Sequence, residues 1–297
     1  MKTILVLTDL SENAAHAAEV AVTLAGTMNT NLLLYNARIA MPVPTYYADY
    51  AGGPWVADDF IQWESESNEK LQWLADDLKP LIANLDPELR KPSVHFECRD
   101  GKIAENLAEL IAQKNVELIV MGASAEDTLD HILNGSETKA VMNHATCPVL
   151  VVPQRADLTK ITKVIFATDY AEGDIKGMHY LVMLARLFDF SIEIAHISEY
   201  GENPYLTIED KETFLKQVNK LKYPHISFKI ARGKNVIDRL NRLCEEEEAN
   251  ILALVHYQHS FLVHLIRTST TKRALANQQI PLLIFPSKME KNYKEFV

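Results

Sequence analysis

Two short constellations in this chain could do chemistry on a phosphate-bearing ligand. The first is Thr8, Asp9 and Ser11, which follow the apolar run Ile4 to Leu7. The second opens at Gly122, directly after the apolar run Leu118 to Met121, passes Ala125 and reaches Gly135-Ser136 at the head of a helical stretch. Glycine lets backbone amides approach phosphate oxygens, and a helix N-terminus adds unpaired N–H groups with favourable partial charge. Taken by itself, Gly135-Ser136 reads first as an N-cap, because Ser136 would start a helix with or without a ligand. Nothing else in the chain offers a better anion site, and no Gly-x4-Gly-Lys-Ser/Thr loop or nucleophile elbow is present.

The elements that must hold these residues repeat. Lys2 to Glu12 recurs as Thr162 to Glu172, with Thr8, Asp9 and Glu12 matched by Thr168, Asp169 and Glu172 at an offset of 160. Leu118 to Pro153 lies on Ile251 to Pro286 without a gap over 36 positions, at an offset of 133, with 8 identities that include Ser136/Ser269, Thr138/Thr271 and Lys139/Lys272. A shared register through a polar helix points to duplication, and the 27-residue difference between the offsets places extra sequence in the first half. A chain of 297 residues fits two domains. The expected division is 1–153, a linker at 154–160, and 161–297.

Within each half, short apolar runs alternate with helical spacing. Expected strands are Ile4–Leu7, Leu32–Ala37, Val94–Cys98, Leu118–Met121 and Val149–Val152, then Val164–Ala167, Ile192–Ile197, Ser227–Ala231, Ile251–Leu254 and Leu282–Phe285. Helices are expected after Ser11 and over Glu66–Leu85, Ile103–Ala112 and Ser136–His144. The order predicts an α/β fold with two mainly parallel, doubly wound five-stranded sheets, whose ligand crevice lies beyond the carboxyl ends of the strands. Thr8, Asp9, Ser11, Ala37 and Gly122 all fall there.

The whole pattern resembles the universal stress protein family, on Thr8-Asp9-x-Ser11, Gly122-x2-Ala125-x9-Gly135-Ser136 and the closing Cys147-Pro-Val-Leu-Val-Val-Pro153. The resemblance implies an adenine nucleotide as cofactor, ATP, ADP or AMP, with Mg2+ as a companion ion. It implies Asp9 near ribose or base, the Ala37 backbone at adenine, the Gly122 backbone at the ribose, and Gly135 with Ser136 at the phosphates. The candidate binding set is Thr8, Asp9, Ser11, Ala37, Met121, Gly122, Ala125, Gly135, Ser136 and Glu137. Ala125 stands where the family has its second glycine; if that position needs positive φ, alanine costs about 1 kcal/mol or more and weakens binding. The second half has Val255, Gln258 and Thr268 at the three glycine positions. Branched side chains resist positive φ and would fill the phosphate path, so no family-type site is expected there. The resemblance also implies that Val149–Val152 and Leu282–Phe285 pair across a pseudo-two-fold axis, making the chain its own dimer; association of two chains stays open.

Composition narrows the rest. A formal charge of −10 repels nucleic acid and anionic membrane. The sparse cysteines Cys98, Cys147 and Cys244 argue against disulfides and structural zinc, and with no signal peptide or membrane span the expected location is the cytoplasm. His256, His259 and His264 lack a completing carboxylate or thiolate, so no metal is assigned. Glu245 to Glu248 reads as a solvated helix end. The insertion 41–63, with Tyr46, Tyr47, Tyr50, Trp55 and Trp63 around Gly52-Gly53-Pro54, is a loop that serves as a lid, as a contact surface, or only packs on its own domain. No catalytic residue is assigned. The leading expectation is a stress-response sensor or regulator that binds nucleotide in its first half. Two rivals are a nucleotide-independent interaction protein using the insertion and domain interface, and an enzyme limited to slow ATP hydrolysis or a related transfer.

Overall fold

The computed structural model describes residues 1–38, 55–123, 136–199, 208–256 and 280–289. In the first half the elements are β1 (Thr3–Leu7), α1 (Glu12–Met28), β2 (Asn31–Arg38), α2 (Trp55–Ala83), β3 (Val94–Asp100), α3 (Ile103–Lys114), β4 (Val116–Ala123), α4 (Ser136–His144) and β5 (Val149–Pro153). The second half continues with β6 (Lys163–Ala167), α5 (Asp174–Phe188), β7 (Ser191–Glu199), α6 (Ile208–Asn219), β8 (Ile226–Gly233), α7 (Val236–Glu246), β9 (Ile251–His256) and β10 (Leu282–Pro286). Each expected strand forms, most of them a residue or two longer than its apolar run.

All ten strands make one sheet in the order β3-β2-β1-β4-β5-β10-β9-β6-β7-β8. Read inward from either edge, the sequence of strands is the same: third, second, first, fourth, fifth of each half. Neighbours are parallel except at the centre, where β5 and β10 run antiparallel with Val149, Leu150 and Val151 opposite Ile284, Leu283 and Leu282. Both central strands are buried along their whole length, as expected for near-continuous apolar runs covered on both faces. Helices α1, α2, α5 and α6 cover one face, and α3, α4 and α7 cover the other.

Local chemistry explains where the helices begin and end. Ser11 accepts a hydrogen bond from the Ala14 N–H and starts α1, whose buried Ala14, Ala17, Ala18, Ala21 and Ala25 bring the helix close to the sheet. Helices α1, α3 and α5 stop at Asn29, Asn115 and Asp189, all in left-handed conformation, the residue types besides glycine that adopt it at least cost. The linker is not a free tether: Ala156, Leu158 and Ile161 are buried, and the His16 imidazole meets the Ala156 carbonyl at 2.8 Å.

Two expectations change. The stretch Trp55–Trp63, read as loop, belongs to α2. After Pro54 neither glycine nor proline interrupts the chain until Pro80. Residues 41–54 lie outside the described residues. Glu247, read as part of a solvated acidic end, is instead gripped by the Lys163 ammonium at 2.5 Å and by Lys229, while Lys163 also reaches Glu193 at 3.5 Å. This joins the amino ends of β6 and β7 to β8 and to the end of α7.

The two lysines hold the Glu247 carboxyl well below its ordinary value of 4.5, at about 2, chiefly through their hydrogen bonds. A lowered folded-state pKa gives stability that is present above 4.5 and lost as pH falls toward about 2. Glu247→Gln is therefore expected to lower the urea midpoint at neutral pH and to flatten the acid limb of the midpoint-against-pH curve over that window. A curve parallel to the unaltered chain's would refute it.

Candidate functional site

At the carboxyl end of β1 the backbone is held by a sequence-local device. The Thr8 N–H donates to the Tyr35 carbonyl at 3.0 Å, the Leu10 N–H to Thr8 Oγ1 at 3.0 Å, and the Ser11 N–H to Asp9 Oδ1 at 3.0 Å. Leu10 takes a positive φ of 66°, which turns the chain from strand into helix. Asp9 stays exposed, with one carboxylate oxygen accepting the Ser11 N–H in this turn. Asn36, at the end of β2, clamps the turn from the side by donating to the Thr8 carbonyl at 2.7 Å. Asn36 was absent from the candidates; its signal in the sequence is a buried amide inside an apolar strand run.

Register brings the neighbouring strand ends together. Leu7 lies opposite Tyr35 on β2 and Met121 on β4, so Asp9, Ala37 and Gly122 emerge side by side. Met121 is itself buried in the core below them, and Ala37 stands opposite Arg99 on β3. Gly122 is required by packing: a Cβ there would stand 2.6 Å from the Asn13 carbonyl oxygen and 2.9 Å from the Ala14 nitrogen, at the first turn of α1. Helix α4 begins at Ser136, followed by Glu137. Ala125 and Gly135 lie outside the described residues.

The second half builds the same turn with different side chains around it. Thr168 N–H meets the Ala195 carbonyl at 3.0 Å, Tyr170 N–H meets Thr168 Oγ1 at 2.8 Å, Tyr170 has φ of 65°, and His196 Nδ1 donates to the Thr168 carbonyl at 2.9 Å in the place of Asn36. Here, however, the Thr168 hydroxyl donates to the buried Asp174 carboxylate at 2.6 Å. The Tyr170 ring stacks on His196 with centroids 4.6 Å apart, and burial pushes its phenol up to about 12. Val255 stands in the place of Gly122, and the helix opposite compensates: Gly177 replaces Ala17, and a Cβ at Gly177 would meet Val255 Cγ2 at 3.1 Å and the Phe285 ring at 2.8 Å. The glycine has moved from strand to helix. Gln258, Thr268, Ser269, His259 and His264 lie outside the described residues.

Among the described residues no group of three or more His, Cys, Asp or Glu is placed to hold a metal ion, and no helix is long and apolar enough to cross a membrane. Cys98, Cys147 and Cys244 form no disulfide among the described residues.

With this geometry in hand, comparison with known proteins is informative. The family model described as the universal stress protein family matches residues 1–153, just over half of the 297. The chain belongs to the universal stress protein family. Its similarity to a universal stress protein of Synechocystis, Slr1230, is 24% identity over 294 residues, 96% of this chain and 100% of that one. A universal stress protein of Thermus aquaticus, in the QAH/OAS sulfhydrylase 3' region, is 30% identical over 151 residues, 51% of this chain and 98% of its own. The solved structure of a universal stress protein from Archaeoglobus fulgidus superposes with a TM-score of 0.66 at 15% identity, covering 96% of this chain and 98% of that one, a likeness of fold. For this universal stress protein the half-length match to the Thermus protein and the full-length match to the Synechocystis one fit a tandem of two such units.

The glycine geometry makes a direct prediction. Gly122→Ala forces the α1 backbone away from β4 and should cost about 1–3 kcal/mol in urea unfolding, the usual penalty of an overpacked core. Gly26→Ala is the control, since its Cβ would meet the movable ends of the Leu85 and Leu89 side chains, at 3.1 and 3.6 Å, and alanine favours the helix. Equal effects at the two sites would show that the contact with Asn13 is not what demands glycine.

Proposed function

We propose that the first half of this universal stress protein binds an adenine nucleotide and that the second half is its structural partner, the pair acting as a nucleotide-responsive stress regulator in the cytoplasm. The observation that carries this reading is the asymmetry of two otherwise equivalent strand ends. In the first half Asp9 is exposed beside Ala37; in the second, Asp169 at the same place is half-buried, Tyr170 is buried and stacked on His196, and the Thr168 hydroxyl is taken by the buried Asp174. A ligand site kept in one copy and altered in the other is what loss of a duplicated function would leave.

The residues fit a nucleotide in kind. Asp9 would accept from ribose hydroxyls or a base amine, backbone groups at Ala37 and Gly122 would approach base and sugar, and the start of α4 at Ser136 supplies N–H donors of the kind that bind phosphate. ATP, ADP or AMP would serve, a triphosphate with Mg2+ to offset its charge in a chain of net charge −10. Thr8 and Asn36 act by holding the turn that aims Asp9, and Ser11 by capping α1. Among the described residues nearby no general base is paired with a nucleophile, and the reading is of binding. The antiparallel contact of β5 with β10 is taken as the seam that in a one-unit protein would join two chains.

The test is to denature freshly purified protein and identify released small molecules by mass spectrometry, beside a Gly135→Val/Ser136→Ala variant and an Asp9→Ala variant. Adenine nucleotide near one per chain, lost from the loop variant and reduced in Asp9→Ala, is the expected result. No nucleotide, and no binding by calorimetry when ATP and Mg2+ are added at millimolar concentration, would sink the reading.

A further inference from the structure

The sheet ends in β3, and beside it lies a groove that the nucleotide reading does not use. Among the described residues β3 pairs with β2 alone. The Leu32 N–H donates to the Ser93 carbonyl at 2.9 Å, with Leu32 in register with Val94. In a parallel ladder successive residues turn their amide groups to opposite sides, so Ser93, His95 and Glu97 face β2 while Val94, Phe96 and Cys98 present N–H and C=O groups to the outer edge. These are the groups that a further strand would pair.

Helix α2 supplies the facing wall. Gln72, Ala75, Lys79 and Ile82 recur at helical spacing along the side nearest the edge, and together with Val94 and Phe96 they enclose a cleft of about 520 Å³ that Lys91 and Pro92 close at one end. An edge strand with a helix alongside is a geometry that takes extended peptides: the backbone gives affinity, and alternate side chains enter the cleft for specificity. The charges choose the peptide. Lys79 and Lys91 are the charged residues of the lining, which includes no carboxylate, although the chain as a whole carries −10. One donor of Lys79 is taken by Asp76 at 2.6 Å and one of Lys91 by the Ala83 carbonyl at 3.0 Å, which leaves further donors on each ammonium. A second copy of this chain is a poorer occupant, because two-fold pairing of β3 with itself would set lysines against lysines.

We propose that this groove binds an extended acidic peptide segment of a partner protein, which adds to β3 as an eleventh strand with apolar side chains over Ala75, Ile82 and Phe96 and carboxylates toward Lys79 and Lys91. The site lies on the opposite side of the first half from the seam and is independent of nucleotide.

The probe is a fluorescein-labelled, N-acetylated peptide of about eight residues, a typical strand length, with threonine at every other position and valine and glutamate by turns between, so that both enter the cleft from one face; it is titrated with the full chain by fluorescence anisotropy. Saturable binding is expected, weakened about tenfold or more by Lys79→Glu/Lys91→Glu, as truncating charge complementarity at an interface does. Both residues are exposed, so the fold should survive, and thermal melting checks it. Methylating alternate amides of the peptide should abolish binding, and a valine-lysine peptide should bind the charge-inverted chain better than the unaltered one. The proposal is overturned if the valine-glutamate peptide does not bind saturably, if charge inversion and N-methylation both leave binding unchanged, or if sedimentation shows a dimer that Phe96→Pro dissociates, which would give the edge to a second copy.

Discussion

Everything in this molecule hangs on three residue pairs at the centre of its sheet. Val149, Leu150 and Val151 against Ile284, Leu283 and Leu282 are all that join ten strands into one sheet by backbone hydrogen bonds, and they are buried. Neither β5 nor β10 could remain an open edge without presenting unpaired amides and a wholly apolar surface to water. Each half therefore completes the other. The apolar layer under α1 and α5 then runs without a break from the first half to the second, and the linker lies on it through Ala156, Leu158 and Ile161.

Given that seam, the two halves are free to differ everywhere else, and their differences are local. The turn after β1 and the turn after β6 share the hydrogen bonds that Thr and Asp at the same offsets accept, from Leu10 and Ser11 in one and from Tyr170 and Ala171 in the other, while Asn36 and His196 clamp them with different chemistry. Above the turns, the exchange of glycine between strand and helix changes what can fit. In the first half α1 presses its first-turn backbone on Gly122; in the second, Val255 takes up room that Gly177 concedes. Each arrangement lets a helix approach the sheet closely without a clash.

The repeat and the strand pattern were legible because period and register are properties of residue order: ten apolar runs gave ten strands, and the topology of alternating strand and helix left few arrangements. The start of α2 was hidden, since Gly52-Gly53-Pro54 and a cluster of aromatics look like loop until one notices that the chain after Pro54 has no helix breaker. The role of Glu247 was hidden for a different reason. Its lysines come from β6 and β8, and only the folded sheet brings positions 163 and 229 to the end of α7. Of the binding set, Asp9, Ala37 and Gly122 could be placed by strand ends alone, whereas Asn36 needed the structure to show which carbonyl its amide serves.

Joining the two units by a covalent linker also changes what can vary. In an assembly of identical chains every substitution appears on both sides of the seam, so a pair such as Val255 with Gly177 would be imposed on both units at once. A single polypeptide escapes that symmetry. Its halves also remain at a fixed effective concentration however dilute the protein becomes, so one of them can surrender its own crevice and still be present whenever the other needs a partner.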